Sequence, residues 1–398
     1  MKKILIVSHA LELGGAERSL IGLLDAIDKK EYKVDLFLLR HEGELLSFIP
    51  EGVNLLPEIP AYTVLARPMV QTLKEGHVIL TAARMYGKIK ADKYIKKCGH
   101  TDSGVPLEYS HKYTYRFMPE IRPDEEYDLA ISFLTPHYIV TNKVHAKKKI
   151  AWIHTDYSKV QINEKSELEM WSAYDQIISI SDDVTKTFQK IFPTLSTKII
   201  KIENIIPEKL IISQSKEFIP VEEMPDDSIK ILSIGRYCTA KNFDNVPNIC
   251  KHLVKQGMNV RWYLIGFGPD ENLIKEKIKE EHMEKNVIML GKKSNPYPYI
   301  CRCDLYVQPS RYEGKCVSVK EAQMLGKPVV ITNYATANSQ VENGVDGIIV
   351  TMDNEKCAVE IARILKDEEK MKRMSQKCTE KNYSNVTEVK KIYSMCTC

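Results

Sequence analysis

The feature that most constrains this chain is an alternation, run twice, between short β-branched stretches and longer segments of helical period. In the first half the strand candidates are residues 3–8, 34–39, 129–133, 149–154, 176–180 and 197–202. Between the first two, residues 17–27 put Leu20, Leu23, Leu24 and Ile27 on one helical face. Strands joined by helical segments of this length form parallel sheets with crossover connections. A polar, proline-containing stretch at 213–228 interrupts the pattern. It restarts with strands expected at 229–235, 260–265, 287–290, 305–308, 328–332 and 347–350. The expected fold class is therefore α/β, with two Rossmann-like, doubly wound domains. Their bounds are 1–212 and 229–380, with 213–228 as linker and a tail at 381–398 that is free to pack back on the first domain. Ligands of open α/β sheets bind beyond the carboxyl ends of the strands, so two such sheets are expected to face a central cleft. Residues 67–116, rich in Lys and Tyr, fit no strand–helix unit and suggest a helical insertion.

Length and composition narrow the class. At 398 residues the chain exceeds one ordinary core, and 43% hydrophobic with 28% charged residues describes a globular protein. A net charge of +4 is too small to mark a nucleic-acid binder. The apolar run after Lys2-Lys3 is only Ile4-Leu5-Ile6-Val7, shorter than the roughly 7–15 residues a signal peptide needs. The ten cysteines form no paired framework. Cys301/Cys303 and Cys396/Cys398 have C-x-C spacing without the histidines or second pair of a zinc site, so reduced thiols and a cytoplasmic location are expected. Cys396-Thr397-Cys398 reads as a frayed end.

Four features follow strand candidates, where a site belongs. Leu13-Gly14-Gly15-Ala16-Glu17 precedes a helix, and its glycines would let backbone N–H groups approach an anion; a plain tight turn reads equally well. It is not the G-x-G-x-x-G of dinucleotide enzymes. Gly235-Arg236-Tyr237-Cys238-Thr239-Ala240-Lys241 places a forked and a compact cation on one loop, suited to a diphosphate or simply solvated. Ser310-Arg311-Tyr312-Glu313-Gly314-Lys315-Cys316-Val317-Ser318 turns into a helix beginning near Val317. The Val317 and Ser318 N–H groups would face a phosphate, and Glu313 and Glu321 sugar hydroxyls, unless the acids only favour the helix start. His154 ends an inner strand, as a cleft-facing or a core histidine. Gly266-Phe267-Gly268-Pro269 reads as a strand-to-helix turn, and the tyrosines near Lys293 and Tyr299 as loop packing.

Together, Gly14-Gly15-Ala16-Glu17, Gly235-Arg236 with Lys241, and Glu313 with Glu321 eight residues on resemble glycosyltransferase family four. These are retaining enzymes of the GT-B fold, and the stretch 235–353 is most similar to bacterial capsular and exopolysaccharide glycosyltransferases. The resemblance implies roles. Arg236 and Lys241 would neutralise the donor diphosphate, helped by N–H groups near Gly14, Gly15, Val317 and Ser318. Glu321 would hold the nucleotide ribose. Glu313 would hold the transferred sugar, with backbone groups of Gly314, Lys315 and Cys316 on its other hydroxyls. His154 would lie over that sugar, and the backbone of Lys292 and Lys293 would meet the base. Lys315-Cys316 stands where many members carry Phe-Gly, at the border of the sugar pocket.

The expected reaction is transfer of a hexosyl or N-acetylhexosaminyl group from a nucleoside diphosphate sugar, UDP-linked first, to a glycan or lipid-linked glycan. Catalytic roles fall to His154, Glu313, Arg236 and Lys241. No Asp-x-Asp follows a strand, so no metal and no cofactor are expected. Lys88, Lys90, Lys93, Lys96 and Lys97, interleaved with Tyr86, Ile89 and Tyr94, suit either anionic lipid at the inner face of the plasma membrane or solvent. A GT-B sugar-nucleotide epimerase and a non-catalytic nucleotide-sugar-binding protein are the alternatives.

Overall fold

The computed structural model describes residues 1–12, 14–101, 103–158, 160–314 and 316–396. Lys315 and Cys398, together with Leu13 and Thr397, lie outside the described residues. The chain divides into two compact units, Met1–Pro207 with Asn385–Cys398, and Glu208–Ser384.

Among the described residues the first unit holds seven strands: β1 (Lys2–Ser8), β2 (Tyr32–Leu38), β3 (Val53–Leu55), β4 (Tyr127–Ser132), β5 (Ala146–Ile153), β6 (Gln176–Ser179) and β7 (Ile199–Lys201). All pair in parallel in the order β3-β2-β1-β4-β5-β6-β7. Ile4, Leu5, Ile6 and Val7 are all fully buried, so both faces of β1 are covered. That is why its sequence is a continuous apolar run rather than an alternation. The helix Gly15–Ala26 covers the sheet through Leu20, Leu23 and Leu24. Residues 67–116 form the expected helical insertion, whose main members are the helices Val78–Cys98 and Val105–Thr114.

The second unit repeats the plan with β8 (Ile229–Ile234), β9 (Val260–Ile265), β10 (Val287–Gly291), β11 (Leu305–Gln308), β12 (Val329–Thr332) and β13 (Ile348–Val350). They too are parallel, in the order β10-β9-β8-β11-β12-β13. In both sheets the order reverses beside the first strand of the unit. The crevice at such a switch point is where ligands of these sheets bind.

Two expectations about boundaries need correction. The break falls at Pro207/Glu208, and the stretch 213–228 is no free linker. Its Gln214 carbonyl accepts from Asn295 Nδ2 at 2.8 Å, Glu223 accepts from Lys293 at 2.5 Å, and Met224 is fully buried. The stretch is largely exposed, yet these contacts fasten it to the second unit. Nor does the end of the chain fray at Cys396, which is buried and whose carbonyl accepts from Lys2 Nζ at 3.1 Å. The preceding helix, Val389–Met395, belongs to the first unit, with Tyr393 stacked on Tyr32 at 4.5 Å and 8°. Asn385 caps the return, accepting from Ile206 N at 3.0 Å and donating to the Asn204 carbonyl at 2.8 Å.

Candidate nucleotide-sugar site

At the switch point of the second unit the loop after β8 and the loop after β11 are knitted together. Arg311 N donates to the Ala240 carbonyl at 2.8 Å, and Asn242 Nδ2 to the Pro309 carbonyl at 2.9 Å. The Arg311 guanidinium reaches both oxygens of Asp244 at 2.8 and 2.6 Å, the fork-on-fork geometry that fixes orientation. Asn242 takes φ 60°, a left-handed turn that asparagine tolerates better than most residues. These bonds set where the two functional side chains meet.

Lys241 Nζ donates to Glu313 Oε1 at 2.5 Å, with both side chains largely buried. Burial works against the lysine's charge, yet Cys316 and Glu313 beside it hold the ammonium above the ordinary lysine range. Burial also pushes the Cys316 thiol up, so its sulfur is uncharged at neutral pH and the carboxylate carries that stabilisation. Ser310 Oγ donates to the same Glu313 oxygen at 2.6 Å and accepts from Gln308 Nε2 at 3.0 Å. The main-chain carbonyl of Glu313 is held by Thr336 Oγ1 at 2.8 Å.

The helix Val317–Met324 begins at this loop, with Cys316 as its N-cap and no side chain capping it. Cys316 N donates instead to Gln340 Oε1 at 3.0 Å. Ser318 Oγ receives Tyr306 OH at 2.8 Å and lies 3.2 Å from Cys316 Sγ. One turn further, Glu321 is buried and its Oε1 accepts from Tyr297 OH at 2.9 Å. Tyr297 is therefore more than loop packing, since its hydroxyl holds a buried carboxylate.

The loops after β8, β9 and β10 stack behind this centre. Gly266 N donates to the Gly291 carbonyl and Tyr237 N to the Phe267 carbonyl, both at 2.9 Å. Gly266 has φ 154°, and a Cβ there would lie 1.9 Å from the Gly235 carbonyl oxygen, so this turn demands glycine. Gly235 is in turn roofed by Lys241, whose Cε would sit 3.0 Å from an added Cβ. Lys292 lies just past β10 with its Nζ 5.5 Å over the Phe267 ring.

Arg236 and Lys241 differ in their surroundings. Arg236 is exposed and pairs with no described residue, whereas Lys241 is folded onto Glu313. Gly314 carries no side chain to crowd the loop, with nothing within 4 Å of an added Cβ.

Gly14, Gly15 and His154 belong to the first unit. Gly14 is the N-cap of Gly15–Ala26 without a side-chain cap, and space around Gly15 is open. His154 follows β5, its ring 4.7 Å from that of Phe133. Its buried Nε2 has no hydrogen-bond partner among the described residues, and burial pulls its pKa down to about 4. It borders a cavity of about 260 Å³ that motif reading missed, lined also by Glu108, His111, His137, Glu167 and Trp171. Burial lowers His111 and His137 to about 3 and raises both carboxyls, which accept from Tyr138 and Tyr157 hydroxyls. Glu108 with His111 and Glu167 with Trp171 each share a helix, and His137 stands at the start of a third, so helical spacing marks each pair but not their meeting.

Comparison with known proteins bears on this geometry. Residues 214–381 match the family model for glycosyl transferases group 1, and the match spans both knitted loops and the helix between β11 and β12. The second unit carries a group 1 glycosyltransferase domain. Among curated relatives of this domain is the poly(glycerol-phosphate) alpha-glucosyltransferase of Bacillus subtilis. It is 28% identical over 172 residues, which is 41% of this chain and 26% of that protein. The capsular polysaccharide biosynthesis glycosyltransferase CapM of Staphylococcus aureus is 28% identical over 166 residues, 40% of this chain and 43% of that one. The chain thus spans less than two thirds of the length of these relatives. Among solved structures, Anabaena HepE in complex with UDP and glucose has a TM-score of 0.64 at 16% identity, with 99% of each chain covered. Staphylococcus aureus TarM, in a complex that includes UDP, has a TM-score of 0.66 at 15% identity over 100% of both chains. The chain has the GT-B fold, and its group 1 domain is one of the two Rossmann-like units of that fold.

Proposed function

We infer that this group 1 glycosyltransferase domain binds a nucleoside diphosphate sugar, UDP-linked first. The full chain moves its hexosyl or N-acetylhexosaminyl group to a glycan or lipid-linked glycan in surface polysaccharide synthesis, with retention. The observation that carries this reading is the contact of Lys241 with Glu313 beside an uncapped helix start at the switch point of the second sheet. Relatives named for glucosyl transfer and capsule synthesis, and neighbours solved with UDP, support the substrate class.

The hard event is departure of the diphosphate from the anomeric carbon. As the C1–O bond breaks, charge grows on the phosphate oxygens while the sugar becomes oxocarbenium-like. Lys241 and the Val317 and Ser318 N–H groups are preorganised to meet that charge where it develops, and the exposed Arg236 is free to join them. Glu313 then turns from its lysine to the sugar hydroxyls, shared with the backbone at Gly314 and Cys316. Glu321, steadied by Tyr297, takes the ribose; Lys292 and Lys293 border the base. Gly14, Gly15 and His154 keep the donor roles that the family resemblance implies for them on the first unit. The acceptor hydroxyl adds to C1 on the face the diphosphate leaves, and its proton passes to a departing phosphate oxygen. No metal or cofactor takes part, and the enzyme works in the cytoplasm.

A donor screen tests the reading: UDP or GDP release from each common nucleotide sugar, with and without a glycan acceptor, and the anomeric configuration of the product by NMR. Acceptor-dependent release with retention is expected. Equal release from donor alone, with an epimerised sugar, sinks transfer in favour of epimerisation; binding without any release sinks catalysis.

A further inference from the structure

The helix Val78–Cys98 buries Leu80, Ala83, Gly87 and Ala91 along one stripe. Contact with the neighbouring helix Val105–Thr114 is close, since a Cβ on Gly87 would lie 2.8 Å from the Tyr109 carbonyl oxygen. A surface helix with such a stripe carries polar residues on its opposite face. Here the opposite face is apolar over its first three turns, with Val78 58%, Ile79 64% and Ile89 48% exposed. Phe117, 55% exposed, borders the same groove of about 570 Å³ as Val78, Ile79 and Tyr86. Toward the carboxyl end that outer face turns cationic through Lys93, Lys96 and Lys97. Asp92 is the one acid against the five lysines of this helix. Lys90 Nζ sits 5.3 Å over the Tyr86 ring, where basic and apolar parts join.

Lysines in the last turn favour the helix dipole, but that accounts for none of the exposed side chains from Val78 to Ile89. Scattered apolar residues are ordinary on a surface; a contiguous patch is not. We propose that this insertion docks the protein on an anionic lipid surface, its apolar end entering the headgroup boundary and its lysine end meeting lipid phosphates. An apolar strip with aromatic residues beside a lysine cluster is the makeup of helices that lie in the interface plane. A second copy would bring the same cations face to face, so charge favours lipid. Among the described residues no helix is long and apolar enough to cross a membrane. The inference deepens the functional reading only by placing a lipid-linked acceptor within reach.

The test is co-sedimentation of the full chain with phosphatidylcholine vesicles, with and without phosphatidylglycerol. Binding is expected only with the anionic lipid. Reversing three lysines (K93E/K96E/K97E) should lower partition by at least about 100-fold, at about one unit of lipid attraction per lysine. Ile79→Ser with Phe117→Ser should lower it about tenfold and persist at high salt, where screening removes the charge contribution. Both variants should keep nucleotide release with a soluble acceptor. No binding to anionic vesicles, binding indifferent to both variants, or a dimer in solution that the serine pair abolishes overturns the proposal. Vesicle binding fails independently of transfer: loss of binding with release intact rejects the dock alone, and lost release with binding intact rejects only the enzyme reading.

Discussion

Replacing Lys241 with methionine keeps the length of the side chain and removes its charge. The partner left behind, Glu313, is only 10% exposed and retains Ser310 Oγ at 2.6 Å as a donor. Stranding a buried charge costs about 3–5 kcal/mol, and the surviving Ser310 bond argues for the lower end, about 3 kcal/mol. For a domain of this size that is a drop of about 6–12 °C in melting temperature. Turnover should fall further than stability explains, by about 10²–10³, because a preorganised cation facing the departing diphosphate is gone. The two effects separate in a cycle. Lys241→Met with Glu313→Gln removes the stranded charge and should recover about 2 kcal/mol of stability, yet no turnover. Thermal unfolding and acceptor-dependent UDP release at a temperature where every variant is folded are the assays. Turnover equal to the parent in Lys241→Met refutes the diphosphate role, and an unchanged melting point refutes the buried pair.

Other outcomes are equally specific. Gly266→Ala, whose Cβ would meet the Gly235 carbonyl at 1.9 Å, should cost about 3 kcal/mol and lower donor affinity by displacing the loop under Lys241; a neutral melt contradicts the packing. Tyr297→Phe, which takes a donor from Glu321, should raise donor KM about tenfold with kcat little changed, and a kcat effect alone would point away from ribose binding. His111 and His137 at about 3 and His154 at about 4 refuse protons that the unfolded chain accepts from 6.5 downward. The first unit is thus fully stabilised above pH 6.5 and weakens as the pH falls toward 4, partly offset by Glu108 and Glu167, whose raised pKa values act oppositely. His137→Gln should flatten that acid slope by up to about 1.4 kcal/mol per pH unit, and identical slopes in unfolding titrations would rule the histidine out. Activity should survive EDTA; its loss, restored by a divalent cation, would overturn the metal-free expectation.

The strands were legible because parallel strands covered on both faces must be apolar throughout, as Ile4-Leu5-Ile6-Val7 is. β3 (Val53–Leu55) was not, since a three-residue edge strand with a half-exposed pattern has no period to show. The loops at 235–241 and 310–318 could be found from their position after strands. Their joining could not: the Lys241–Glu313 contact spans 72 residues of sequence, and the Arg311–Asp244 fork spans 67. Polar side chains at 213–228 suggested a linker, but whether such groups meet water or buried partners such as Asn295 is decided only by the fold. The cavity beside His154 was hidden for a related reason: Glu108 and His111 share one helix, but their meeting with His137 and Glu167 is made only by the fold.

Because Asn385 and the helix Val389–Met395 return to the first unit, that unit is discontinuous in the chain, and the second is threaded into it like an inserted domain. On the ribosome, the Tyr32 ring waits for Tyr393 until the whole second unit has been made. All strands of the first sheet therefore emerge early, and only the helix that carries Tyr393 arrives late. A chaperone holding nascent chains would find the surface around Tyr32 and Asp28 open throughout synthesis of the second unit, and closed only when the last helix arrives.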